Sequence, residues 1–180
     1  MNIKKSNCLI IFALLFMIIL SGCGGSNVET KRIFTDFSRL IEDRDYENLR
    51  LTIYFRNPLL FPPRSSVNVE RLIELYPGST RKFIVEGNAL VEHSYLLHQL
   101  SNVDMILPEC ETLPRDVRIY YFIENMITGK MFEVVIQGCR TDPMFVNGVE
   151  IEWNEIFYDV IIPFLPEDAV ESVEVFLGRR

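Results

Sequence analysis

The chain has 180 residues, with 18 lysines and arginines against 25 aspartates and glutamates, a formal charge of -7 at pH 7. That balance excludes two classes of partner that need clustered cations, nucleic acid and anionic lipid heads bound by charge alone. The length suits one domain with a real core and is short for two.

Lys4 and Lys5 give a positive start, and Cys8 to Leu20 are thirteen consecutive apolar residues. As a helix that run spans ~20 Å, short of the ~30 Å hydrocarbon core that a permanent span must cross. A positive start, a short apolar run and small residues after it form the layout of a secretory signal peptide. Here the small residues end in a cysteine. Leu20-Ser21-Gly22-Cys23 resembles the lipobox of bacterial lipoproteins, and the resemblance covers residues 1 to 23. It implies that residues 1–22 are removed, and that Cys23 becomes the first mature residue and carries a diacylglyceryl group on its sulfur. Each buried methylene contributes about 0.8 kcal/mol, so two or more acyl chains make a durable anchor. The expected location is the extracytoplasmic face of a cell membrane, held by lipid on Cys23. Gly24 stands where the family's inner-membrane retention signal has Asp.

Without residues 1–22 the chain has 158 residues, with 16 cations against 25 acids and a formal charge of -9. Residues 23–30 read as the lipidated cysteine and a flexible tether. Gly24 to Asn27 reach only on the order of 10 to 15 Å. Residues 31–180 read as a single domain.

Ile33, Phe34, Phe37, Leu40 and Ile41 recur at helical spacing, which predicts an amphipathic helix over roughly 28 to 42. The acidic EDRDYEN (42 to 48) resembles a calcium loop only superficially, since it lacks the sixth-position Gly and has Tyr54 at the twelfth. LRLTIYF (49 to 55) alternates as a strand with one buried face. Pro58, Pro62 and Pro63 then impose a surface loop, in which Leu59, Leu60 and Phe61 are a candidate partner-binding patch.

A short helix is predicted over Val69 to Tyr76, stopped by Pro77-Gly78, and a strand over RKFIVEG (81 to 87). NALVEHSYLLHQLSN follows as one amphipathic helix, with Leu96, Leu97, Leu100 and Val103 on a face centred on His93. His98 falls on the opposite side, so the two histidines do not grip one metal ion, and no metal site is assigned. VRIYYFIE (117 to 124) and MFEVVIQG (131 to 138) read as a hairpin with 117 opposite 138. That pairing brings Cys139 close to the loop carrying Cys110. An exported pair of cysteines suggests a Cys110–Cys139 disulfide, worth roughly 3 to 4 kcal/mol for a loop of about thirty residues. Two buried thiols are the alternative.

Asn147-Gly148 between apolar pairs signals a tight type I′ turn. In the strand after it, alternation with Val149 and Ile151 puts Glu150 and Glu152 on the solvent face. Asn154 is placed to cap a helix with an apolar face from Ile156, Phe157, Val160, Ile161 and Phe164, which Pro163 should kink or end. Pro166 suits the first position of a last helix, marked by Ala169, Val170, Val173, Phe176 and Leu177, before a solvated Gly178-Arg179-Arg180. Strands bunched together with helices to either side predict an α+β domain, a mostly antiparallel sheet with helices packed on one face.

No nucleophile stands beside a base, and no phosphate loop or dinucleotide fingerprint follows a strand, so no catalytic residue and no cofactor is assigned. Residues 49 to 168 also resemble small uncharacterised bacterial lipoproteins, through MFVNGVEIEW and NEIFYDVIIPFLP. That resemblance implies a fold and carries no activity. The expected role is a membrane-anchored binding or interaction module of the cell envelope, meeting a protein or peptide and no nucleic acid. The alternative is a small-ligand pocket protein or hydrolase with a cone-like α+β fold. A filled core with an exposed patch at Leu59 to Phe61 favours the first. A deep pocket with convergent polar groups, such as His93 and a carboxylate, favours the second.

Overall fold

The computed structural model describes residues 46–60, 66–101, 103 and 113–180. The leader, Cys23, the tether, the 28 to 42 helix, Phe61 and Cys110 lie outside the described residues.

After a single 3-10 turn, Tyr46–Asn48, the chain enters strand β1, Leu49–Phe55. Helix α1, Val69–Glu74, starts at Asn68, whose Oδ1 accepts the Arg71 amide at 2.9 Å. Strand β2, Arg81–Glu86, is followed by α2, Asn88–Glu92, and α3, Ser94–Ser101. The long hairpin is β3, Val117–Asn125, with β4, Gly129–Gln137. The short one is β5, Met144–Val146, with β6, Val149–Ile151. Helix α4, Ile156–Asp159, a 3-10 turn over Ile162–Phe164 and α5, Glu167–Leu177, close the chain.

Among the described residues the strands form one six-stranded sheet in the order β2-β1-β3-β4-β5-β6, every neighbouring pair antiparallel. This is the α+β class expected from the sequence. The apolar alternation does the sorting, because successive side chains on a strand point to opposite faces. Leu49, Leu51, Ile53 and Phe55 of β1 join Ile119, Tyr121, Ile123, Phe132, Val134 and Ile136 in the main core. Over them lie Leu90 of α2, Leu97 and Leu100 of α3, Phe157 and Tyr158 of α4, and Ala169, Val173 and Leu177 of α5. Full burial of one such aliphatic or aromatic side chain stabilises by roughly 1.5 to 3 kcal/mol, so this layer dominates the fold.

The opposite face carries a second, smaller cluster. Leu72 of α1 and the neighbouring Val67 pack there on Val117, Tyr120, Val135 and Phe145. Tyr54, Tyr120 and Phe122 continue it as an aromatic row, with ring centroids 6.2 and 5.6 Å apart. This cover explains one departure from the alternation rule. Glu152 is exposed as expected, but Glu150 is only 6 % exposed, because its face of the sheet is shielded here and it lies opposite Phe145.

Other differences are local. The single helix expected from Asn88 onward is two pieces, α2 and α3, with His93 at the joint in a non-helical conformation at φ -110°. A register shift between Val117 and Ile119 moves Val117 opposite Gln137 rather than Gly138, and another between Ile123 and Glu124 moves Glu124 opposite Lys130. Cys139 still emerges at the open end of the hairpin, where the Gly138 amide donates to the Asp116 carbonyl at 3.0 Å. Asn147 (φ 48°) and Gly148 (φ 79°) make the predicted left-handed turn. Pro166 is the cap before α5 rather than its first residue. Arg179 is exposed as expected, and it also bridges Glu155 and Asp159 at 2.6 Å each and so ties the end of α5 to α4.

Candidate functional site: a pinned leucine turn over an arginine corner

The residues that leave β1 build the candidate site. Leu59 and Leu60 are 48 % and 46 % exposed, so the apolar pair does not fold back on the core. Their backbone is nevertheless fixed. Asn57 Oδ1 accepts the Leu59 amide at 2.8 Å, and the Asn57 carbonyl accepts the Leu60 amide at 3.2 Å. Such an Asx turn is the usual work of Asn beside Pro. Asn57 also reaches outward from the turn, its Nδ2 donating to Ser172 Oγ of α5 at 3.0 Å. The turn is therefore tied to the helical layer as well as to itself.

Beneath it lies a charged corner that the sequence does not announce. Arg118 sits between apolar neighbours in β3, and its side chain is 1 % exposed. Nε and Nη2 donate to Asp116 Oδ2 at 3.0 and 2.8 Å, and Nη1 approaches the Asn57 carbonyl at 3.4 Å. Gly138 makes room for this pair. A Cβ there would stand 2.6 Å from Asp116 Oδ2 and 2.8 Å from Arg118 Nε.

Arg56 completes the corner, with buried Nε and Nη1 that have no hydrogen-bond partner. Burial, and then the positive charge of Arg118, hold its pKa below the usual arginine range. Asp116 Oδ1 is likewise buried without a partner. Asp142 is pushed above the usual carboxylate range, by burial first and by the Asp116 charge second. Each unpaired buried polar group costs about 1 to 3 kcal/mol, so the corner holds polar capacity that the described chain does not use.

The remaining sequence candidates fall elsewhere. Cys139 is exposed, with Sγ 3.0 Å from Thr141 Oγ1, while its expected partner Cys110 lies outside the described residues. His93 packs edge-on against Phe164, centroids 5.3 Å apart, and its Nδ1 is buried without a hydrogen-bond partner. Within the main core the Tyr121 hydroxyl is buried and unpaired, and the Tyr158 hydroxyl is buried beside Nε1 of Trp153, which packs against the core. Burial raises the pKa of both tyrosines, so they stay neutral. Among the described residues no three of His, Cys, Asp and Glu are grouped so as to hold a metal ion. No helix of the described residues is long and apolar enough to cross a membrane.

Comparison with protein-family models, with curated proteins and with solved structures finds no match to this chain.

Proposed function

We propose that this chain is a lipid-anchored, extracytoplasmic interaction module, held to a cell membrane through Cys23 and meeting an envelope protein or peptide with its Leu59–Leu60 turn. The observation that carries the reading is the combination of exposure and rigidity at that turn. An apolar pair half in water gains free energy when a partner covers it. A turn pinned by Asn57 and Ser172 loses little conformational freedom when that happens. The lipobox resemblance supports the anchor, and the pairing of Cys139 with Cys110 belongs to the same exported reading.

The test is an envelope pull-down with the full chain in detergent, comparing wild type with the Leu59→Asp, Leu60→Asp double variant. A specific band from wild type that falls about tenfold or more in the variant supports the reading, since losing two apolar contacts removes on the order of 2 kcal/mol. Equal capture by both chains contradicts it.

A second reading, a small-ligand chamber, has one observation in its favour. Tyr121 places an unpaired buried hydroxyl inside the main core, near the buried hydroxyl of Tyr158. It predicts that a small molecule hydrogen-bonding there raises the Tm of wild type and not that of Tyr121→Phe. Screening envelope metabolites by thermal shift decides it, and a metabolite set that shifts neither chain counts against it.

A further inference from the structure

The open edge of the sheet is self-complementary, and we infer that two copies of this chain pair through β2 into one continuous sheet across a two-fold axis. β2 and β6 are the two end strands of the described sheet, and among the described residues β1 is the strand paired with β2. All six of its residues are at least partly exposed, and Ile84 is 53 % exposed.

Hydrogen-bond parity settles which groups the edge presents. In a strand, the amide and carbonyl of one residue point to the same side, and the side alternates along the chain. The Arg56 amide donates to the Arg118 carbonyl at 2.8 Å, and the Asn48 carbonyl accepts the Met126 amide at 2.8 Å. Both ends of β1 therefore turn even-numbered residues toward β3. Odd-numbered Leu51, Ile53 and Phe55 are left to bond β2, where they stand opposite Val85, Phe83 and Arg81. Lys82, Ile84 and Glu86 thus point their amides and carbonyls outward.

A strand added to that edge must satisfy those groups, keep each side chain on its own face and match charges. A second β2, antiparallel and centred on Ile84, does all three. Ile84 meets Ile84 of the other copy, and Lys82 meets Glu86 twice. Outward-facing residues then oppose outward-facing residues throughout, so each opposed pair exchanges both backbone bonds. Side chains of directly opposed residues lie about 4.5 to 5.5 Å apart, within reach of a lysine and a glutamate. Lys82 is already on the correct face, its Nζ 5.2 Å from the Tyr54 ring, and Glu86 shares that face near Arg50. The exposed Ile84 becomes the buried centre. Charged residues on an edge strand usually repel foreign strands. Here the same charges exclude a neutral strand and fit a copy of themselves.

The test is cysteine crosslinking of the full chain in detergent. Cα atoms of a hydrogen-bonded antiparallel pair lie about 5.5 Å apart, within disulfide range. Ile84→Cys is predicted to form a reducible dimer under mild oxidation about tenfold faster than Ile73→Cys, an exposed position on α1, and than wild type with its own cysteines. Adding Lys82→Glu to Ile84→Cys sets Glu against Glu86 twice and should remove that advantage, and adding Glu86→Lys as well should restore it. A rate at position 84 no greater than at 73, indifference to Lys82→Glu, or no recovery in the double swap would each overturn the pairing.

Discussion

The corner under the leucine turn shows how single residues depart from what their neighbours suggest. Arg118 alternates with Ile119 onto the second face of the sheet, yet its side chain is 1 % exposed and donates to Asp116. Alternation does not say that this face is covered, so neither the burial of Arg118 nor the need for Gly138 beside it was legible. Leu59 and Leu60 were legible as candidates because Pro58 precedes them. Their exposure depends on Asn57, which finds Ser172 more than a hundred positions away. Asp142 gives a pH prediction at this scale. Its folded pKa is raised by burial and by Asp116, so its ionised form costs stability above that pKa, and the cost disappears as pH falls through it. Asp142→Asn should therefore melt above wild type at neutral pH. The gap should close toward roughly pH 3, where carboxylates are protonated in both states. Melting curves across that range check it; a gap that grows on acidification contradicts the sign.

The strands with a clean period were read correctly from sequence, and the misreadings have common causes. β1 alternates over its whole length and its apolar set is buried. The Asn147-Gly148 turn follows from the positive φ that those two residues tolerate. Glu150 was misassigned because alternation locates one buried face and is silent on whether the other is covered too. Here α1, distant in sequence, helps to cover it. The break between α2 and α3 at His93 had no Gly or Pro to announce it. The pairing of β3 with β4 carries its own prediction. Gly138→Ala should push Asp116 and Arg118 apart and cost about 1 to 3 kcal/mol, as overpacking does. Chemical denaturation measures it, and an unchanged midpoint would mean that the Arg118–Asp116 pair yields freely.

At the scale of the molecule, the six-stranded sheet of the described residues holds its helical layer on one face and a smaller cluster under α1 on the other. The pinned leucines leave the end of β1, and among the described residues no strand pairs with the outer edge of β2. The two surfaces are made of different residues, so one copy can pair through β2 while its leucine turn meets a partner. On the proposed lipid-anchored reading, molecules confined to one leaflet would meet at a much higher effective concentration than in solution, which lets weak contacts matter. With a formal charge of -9 after the proposed removal of residues 1–22, the chain would have no electrostatic hold on anionic lipid, so on that reading acyl chains on Cys23 would supply it. Cell fractionation with intact mass, on wild type and Cys23→Ser, tests this claim most directly. The account predicts wild type in the membrane fraction, lacking residues 1–22 and carrying the added mass of lipid. The Ser variant should keep its leader or leave the membrane. A Ser variant that stays membrane-bound at the same processed mass as wild type would contradict it.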